Sequence, residues 1–379
     1  MTRGFPEAEF AARVARAQAL ITGHGLAALL LTTEPEVRYF TGYLTRFWES
    51  PTRPWFVVLP ASGKPIAVIP AIGAPVMART WVDDIRTWRA PDLSDDGVSL
   101  LAETLREVAG DGPIGLPMGH ETHLRMPLAD YARLGESVNL VSDQGIMRSL
   151  RLVKSEAEID KIRTACTVAG RAFDRVGEIA AAGVPLSQVF RRFQMLCLEE
   201  GADWVPYLAG GAGPLGYDDV ISPASDTPLA AGDVLMLDTG LVVDGYFCDY
   251  DRNFGIGEVD PRCLDGHRTL IEAVDHAMEI ARPGATAADL FHAMDTVLTG
   301  GAGGSEAGRY GHGLGMQLTE WPSLIPDDRT VLQPGMVLTL EPGVEISGGQ
   351  VLVHEENIVI REAGPERLSP FSVPELRIL

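Results

Sequence analysis

Apolar positions in the first 150 residues switch between helical and strand periods. Residues 8–23 carry Ala, Leu and Ile at helical spacing, and Gly23-His24-Gly25 stops the run. Ala27-Ala-Leu-Leu-Leu-Thr is a short continuous apolar stretch, the pattern of a buried strand. Pro35 to Tyr43 reads as a short helix turning into a loop. Trp55-Phe-Val-Val-Leu-Pro and Ile66-Ala-Val-Ile-Pro are two strands split by the turn Ala61-Ser-Gly-Lys-Pro. Asp84-Ile-Arg-Thr-Trp and Pro113-Ile-Gly-Leu are two more, with helices expected over 74–80 and 99–108. Strands alternating with helices predict a compact α/β domain over residues 1–150.

A second domain is expected over residues 151–379. Ser155 and Glu158 form the pattern of a capping box, predicting a long helix to about Ala182, where Gly183 and Pro185 end it. Helices are expected over 186–200, 261–281 and 287–298, and strands and turns alternate towards the C-terminus. Between them Val234 to Phe254 reads as a β-hairpin, two apolar arms about a turn at Asp244-Gly245. Each arm carries an acid in an apolar setting, Asp238 and Asp249, and the turn sets them roughly cross-strand. Buried carboxylates need partners. Downstream, His312 lies in Tyr-Gly-His-Gly-Leu-Gly, Glu341 follows Val337-Leu-Thr-Leu, and Glu355 interrupts a strand-like run. Two Asp, one His and two Glu suit Mn, Co, Fe(II) or Zn, and carboxylates can bridge two such ions.

These motifs are Asp-Thr-Gly at 238–240, Gly-Tyr at 245–246, Asp-x-x-Arg at 249–252, Gly-His-Gly-Leu-Gly at 311–315, Thr-Leu-Glu-Pro-Gly at 339–343 and Glu-Glu-Asn at 355–357. Together they resemble the pita-bread metallohydrolases, the superfamily of methionine aminopeptidase, aminopeptidase P, prolidase and creatinase. The resemblance implies a pita-bread catalytic α/β domain behind a smaller creatinase-type N-terminal α/β domain. It implies two divalent metal ions, Mn first and Co, Zn or Fe as alternatives, on Asp238, Asp249, His312, Glu341 and Glu355. Glu341 would also be the general base. The expected reaction is hydrolysis of a C–N bond in a small polar substrate, as by an Xaa-Pro dipeptidase or aminopeptidase, and the expected assembly is a homodimer.

Three positions depart from the peptidase pattern. The histidine that such enzymes carry seven residues past the ligand histidine is Thr319 here. The histidine about eighteen residues before the first ligand is missing from Tyr217-Asp-Asp-Val-Ile-Ser, and an arginine two before the last ligand is Val353, next to His354. Thr319 and His354 are therefore expected to touch the substrate oxyanion, and Tyr246, from the Gly-Tyr motif, the substrate. In the loop between Arg46 and Phe56, Trp48 and Arg53, with Arg46, are expected to recognise substrate, reaching the active site of a dimer mate. The departures keep two other readings open. One is a non-peptidase on the same scaffold, a creatinase-like hydrolase or a dimethylsulfoniopropionate lyase-like enzyme. The other is an inactive binding protein, which five intact ligands disfavour.

Charge narrows the partners. A formal net charge of −21 repels nucleic acid and anionic membranes. No apolar run reaches the ~18 residues of a membrane span. Four cysteines, 166, 197, 248 and 263, match neither a zinc motif nor a disulfide framework. With no apolar stretch at the start to act as a secretory signal, the chain is expected to be cytoplasmic. Strand alternation turns Cys248 away from the Asp249 side.

Overall fold

The structure is a computed structural model describing residues 3–50, 54–303, 308–370 and 372–379. The chain divides into two compact units, Met1–Arg151 and Leu152–Leu379.

The first unit runs α1 (Glu7–Gly23), β1 (Ala28–Leu31), α2 (Glu34–Thr41), β2 (Phe56–Pro60), β3 (Ile66–Pro70), α3 (Ala74–Met77), β4 (Asp84–Trp88), α4 (Val98–Ala109), β5 (Ile114–Leu116), α5 (Leu128–Gly135) and β6 (Leu140–Ser142), and α6 (Ile146–Leu152) reaches the boundary. The strands form one six-stranded sheet in the order β4-β3-β2-β1-β5-β6. β1 is parallel to β5 and antiparallel to β2, so the sheet is mixed. Leu30, Phe56, Val58 and Val68 of this sheet pack on Leu101 and Leu105 of α4, all fully buried. The sequence pattern missed α5, β6 and α6, which are eight, three and seven residues long. Leu134 is the only buried residue of α5.

The second unit begins with α7 (Glu156–Asp174), whose N-terminus carries the expected capping box between Ser155 and Glu158. The helix stops well short of Ala182. Arg175 leaves the helical region and its guanidinium pairs with Glu178, Glu199 and Glu200. α8 (Leu186–Glu199) and β7 (Trp204–Gly213) follow, then β8 (Val234–Val243), β9 (Tyr246–Phe247) and β10 (Tyr250–Gly255). Two helices, α9 (Pro261–Ile280) and α10 (Ala287–Thr299), lead to β11 (His312–Gly313), β12 (Glu320–Ser323), β13 (Val337–Leu340), β14 (Gly343–Ser347), β15 (Gln350–Val353), β16 (Glu356–Arg361), β17 (Gly364–Arg367) and β18 (Arg377–Ile378). One sheet has the order β18-β10-β8-β7, with β9 extending the pairing of β8; a second has the order β12-β11-β13-β16-β17.

Both sheets share helical cover. Leu338, Leu340, Ile358 and Ile360 of the second sheet pack on Val274, Leu290, Phe291 and Met294 of α9 and α10. Val234 and Met236 of β8 pack on Cys263 and Leu270 of α9. Burying apolar surface at about 25 cal/mol per Å² is what fixes the two sheets against these helices. All ten residues of β8 are buried, so any acid on it needs a partner.

Candidate active site

The hairpin turn is the expected one. Val242 pairs with Phe247 and Val243 with Tyr246, leaving Asp244-Gly245 as a two-residue loop. Both turn residues have positive φ, 47° and 80°, as a type I′ turn requires. Asp244 is held by a buried ion pair with Lys161 of α7. The same register carries into β10, where Asp251, not Asp249, lies opposite Asp238. The expected cross-strand partner is thus corrected by two positions. Period-two alternation keeps Asp249 on the same face, as a diagonal neighbour. Cys248 turns the other way, its Sγ 3.7 Å from the Thr239 carbonyl.

His312 and the two glutamates arrive from the second sheet. Leu340 pairs with Glu356, which puts Glu341 and Glu355 at neighbouring strand ends. His312 Nδ1 lies 2.8 Å from the Gly313 carbonyl and aims Nε2 at carboxylates, 2.9 Å from Glu341 Oε1 and 3.3 Å from Asp249 Oδ2. The Thr339 hydroxyl donates to Glu341 and accepts from His312 N. The flanking glycines are steric necessities. A Cβ at Gly311 would stand 2.2 Å from the Thr339 carbonyl oxygen, and one at Gly313 would stand 1.8 Å from that of Trp321.

All five side chains meet. Ligand atoms of Asp249, His312 and Glu341 lie within 4.8 Å of one another, as do those of Asp238, Asp249 and Glu355. Asp249 belongs to both groups. Burial, then repulsion from Asp249 and Asp251, pushes the Asp238 carboxyl well above the usual range. Burial, then Asp238 and Glu341, does the same to Glu355. Burial raises Asp249 to about 6. His312, although buried, is raised to about 10 by Glu341 and Asp249, and in turn holds Glu341 low against burial. Asp238 Oδ1 and Glu355 Oε2 are buried without a hydrogen-bond partner among the described residues. Acids so placed are costly unless positive charge joins them. An oxygen-rich set with one imidazole suits a pair of divalent cations.

Residues 160–362 match the sequence family described as Metallopeptidase family M24, and residues 13–153 match the Creatinase/Prolidase N-terminal domain. The chain belongs to metallopeptidase family M24. The chain is 30% identical to the "Probable dipeptidase PepE" of Mycobacterium tuberculosis, over 96% of this chain and 95% of that protein. It is 30% identical to the "Xaa-Pro dipeptidase" of Pyrococcus furiosus over 59% of this chain and 65% of that protein. The solved dipeptidase PepE from Mycobacterium ulcerans superposes with a TM-score of 0.84 at 29% identity, covering 99% of each chain. The prolidase from Thermococcus sibiricus, at 22% identity and a TM-score of 0.86 over 98% of this chain and 99% of that one, shares the fold. This metallopeptidase therefore has the pita-bread fold behind a creatinase-type N-terminal domain, and it is a metal-dependent hydrolase of the kind that binds divalent ions.

Two of the expected substrate contacts are enclosed by protein. Tyr246 is 1% exposed and lies on the strand face opposite Asp249; its hydroxyl donates to Glu158 at 2.9 Å, tying the hairpin to α7. His354 is also 1% exposed, and its ring is enclosed between Asp251 and Glu356. Thr319 is half-buried, with its Oγ1 3.5 Å from Arg309 Nη2, and Arg309 acts electrostatically on Asp249 and Glu341. Trp48 sits in a 3₁₀ turn of the first unit, 5.1 Å under the Arg125 guanidinium and 5.9 Å from Trp55. Arg53 lies outside the described residues.

Sequence reasoning passed over four residues of this metallopeptidase's site. Asp251 was one acid among several in the hairpin. The Tyr207 hydroxyl bonds Asp238 from β7, a strand so rich in glycine that its sequence reads partly as loop. The Asn357 amide grips the backbone of Asp249, accepting from its N at 3.0 Å and donating to its carbonyl. Arg309 follows a glycine-rich stretch that carries no periodic signal.

Proposed function

We propose that the chain hydrolyses the peptide bond of dipeptides with proline in second position, holding two divalent cations, Mn(II) first, on Asp238, Asp249, His312, Glu341 and Glu355. The observation that carries the reading is the sharing of Asp249 between two groups of ligand atoms, an arrangement suited to a bridged pair. Such a pair supplies Lewis acidity and makes water nucleophilic at neutral pH. Glu341 accepts the proton of the attacking water. The Tyr207 hydroxyl, set among Asp238, Asp249 and Glu355, orients the Asp238 carboxylate. Arg309 and Thr319 stand together beside the acids and take the negative oxygens of the substrate, in place of the missing histidines.

The names of relatives support a dipeptide substrate, and four free, buried cysteines accord with a cytoplasmic setting. A homodimer, with Trp48 and Arg53 serving the partner's site, completes the proposal.

The test is a substrate panel after removal of metal and reconstitution with Mn(II). Xaa-Pro dipeptides are expected to be cleaved faster than longer Xaa-Pro peptides, creatine or sulfonium acids. Turnover of a non-peptide substrate alone would replace the peptidase reading.

A further inference from the structure

Behind the proposed ligands lies a second, fully buried layer of charge. Asp251 faces Asp238 across the β8–β10 pair and accepts the Glu355 backbone N–H at 2.8 Å. It thus borders one member of that ligand group and binds the backbone of another. His354 Nδ1 lies 3.5 Å from Asp251 Oδ1, and His354 Nε2 lies 3.3 Å from Glu356 Oε1, ion-pair contacts rather than aligned hydrogen bonds. Glu356 in turn meets Arg252 at 3.3 Å and the Ser369 hydroxyl. Asp251, His354 and Glu356 are at most 1% exposed. The residue is fixed from its backbone as well, since His354 N donates to the Pro342 carbonyl at 3.1 Å.

We propose that His354 is a positioning residue that clamps Asp251 against Glu356 and thereby sets how tightly the Asp238–Asp249–Glu355 group holds its cation. The inference rests on the cation-holding role proposed above. An apolar side chain at 354 leaves Asp251 with Asp238 as its nearest strand neighbour and no facing imidazole. Asp251 Oδ2 already lacks a hydrogen-bond partner among the described residues, so the carboxylate has no second anchor on that oxygen. Rotation of Asp251 would release the Glu355 N–H and shift the ligand that follows His354 in the chain. The other group, Asp249–His312–Glu341, is braced separately by the Gly313 carbonyl and the Thr339 hydroxyl. Its affinity should not depend on residue 354.

The experiment is calorimetric titration of the metal-stripped full chain with MnCl2. The natural chain is expected to show two binding events. His354→Leu should weaken one of them by about 10–100-fold and leave the other within about twofold. In a His312→Ala background, the surviving event should be the one that His354→Leu weakens. His354→Gln, which keeps one donor, should give the same selective loss at smaller size and is read in its place if the leucine variant fails to fold. Both affinities unchanged in a folded variant, or both lowered alike, would overturn the inference. A natural chain that takes up no Mn(II) would sink this inference together with the proposed function, whereas two events indifferent to residue 354 would sink this inference alone.

Discussion

At the scale of single residues, the site is a contest between burial and charge. Asp249 has an ordinary carboxyl value of 3.8 and is raised to about 6 in the folded, metal-free chain. Between those values the folded chain binds more protons than the unfolded one, so the stability this group contributes is whole below pH 3.8 and lost as pH rises through 6. Metal-free Asp249→Asn should therefore be more stable than the natural chain at pH 7, by about 1–3 kcal/mol, with the gap closing by pH 4. Urea denaturation at the two pH values checks this. His267 has the opposite sign. Burial first, then the His354 ring, Arg252 and Arg268, hold its imidazole down to about 4 against an ordinary 6.5, although the Val373 carbonyl works the other way. Its contribution is whole above pH 6.5 and lost as pH falls through 4. His267→Phe should flatten that loss, by up to about 3 kcal/mol at pH 4 relative to the natural chain. For turnover, Arg309→Ala should raise KM for a dipeptide at least tenfold while Arg309→Lys recovers part of it. Thr319→Val should lower kcat by about 100-fold if its hydroxyl faces the oxyanion, as steady-state kinetics would show. The residue types of this cluster were readable from spacing and neighbours. The direction of Tyr246 and His354 was not, because which face a side chain takes depends on strand register and on partners from distant segments.

At the scale of elements, the hairpin and the glycine-flanked strand carry the geometry. Asp244-Gly245 was readable because a two-residue loop with both φ values positive nearly demands such residues. The register beyond it was less so, since Asp249 and Asp251 share a face and either could have been opposite Asp238. Lys161 of α7, buried against Asp244, ties helix to turn. Lys161→Met should cost about 3–5 kcal/mol by breaking the buried ion pair with Asp244, measurable by chemical denaturation. Gly313→Ala should separate β11 from β12 and move His312, so it should weaken cation binding more than it lowers the melting temperature. The overrun of the predicted α7 has a plain cause. Residues 175–182 keep helix-compatible types, yet Arg175 finds three glutamates from outside the helix, and tertiary contacts override local preference.

At the scale of the whole molecule, the mixed six-stranded sheet of the first unit and the two sheets of the second follow from apolar patterning and short connections. The catalytic unit's organisation does not show in periodicity, because several of its strands are only two to four residues long. Motif spacing carried that part. Among the described residues no helix is long and apolar enough to cross a membrane. The proposed homodimer is open to sedimentation. Arg53→Ala is expected to raise KM, alter the oligomer, or both, and a variant with neither change would remove Arg53 from the substrate-recognition proposal. The most direct measurement counts metal. Metal-stripped chain dialysed against Mn(II) at neutral pH should retain two ions, and Asp249→Asn should lose affinity for both, because that carboxylate belongs to both ligand groups. Retention of no ion by the natural chain, or full retention by Asp249→Asn, would contradict the account.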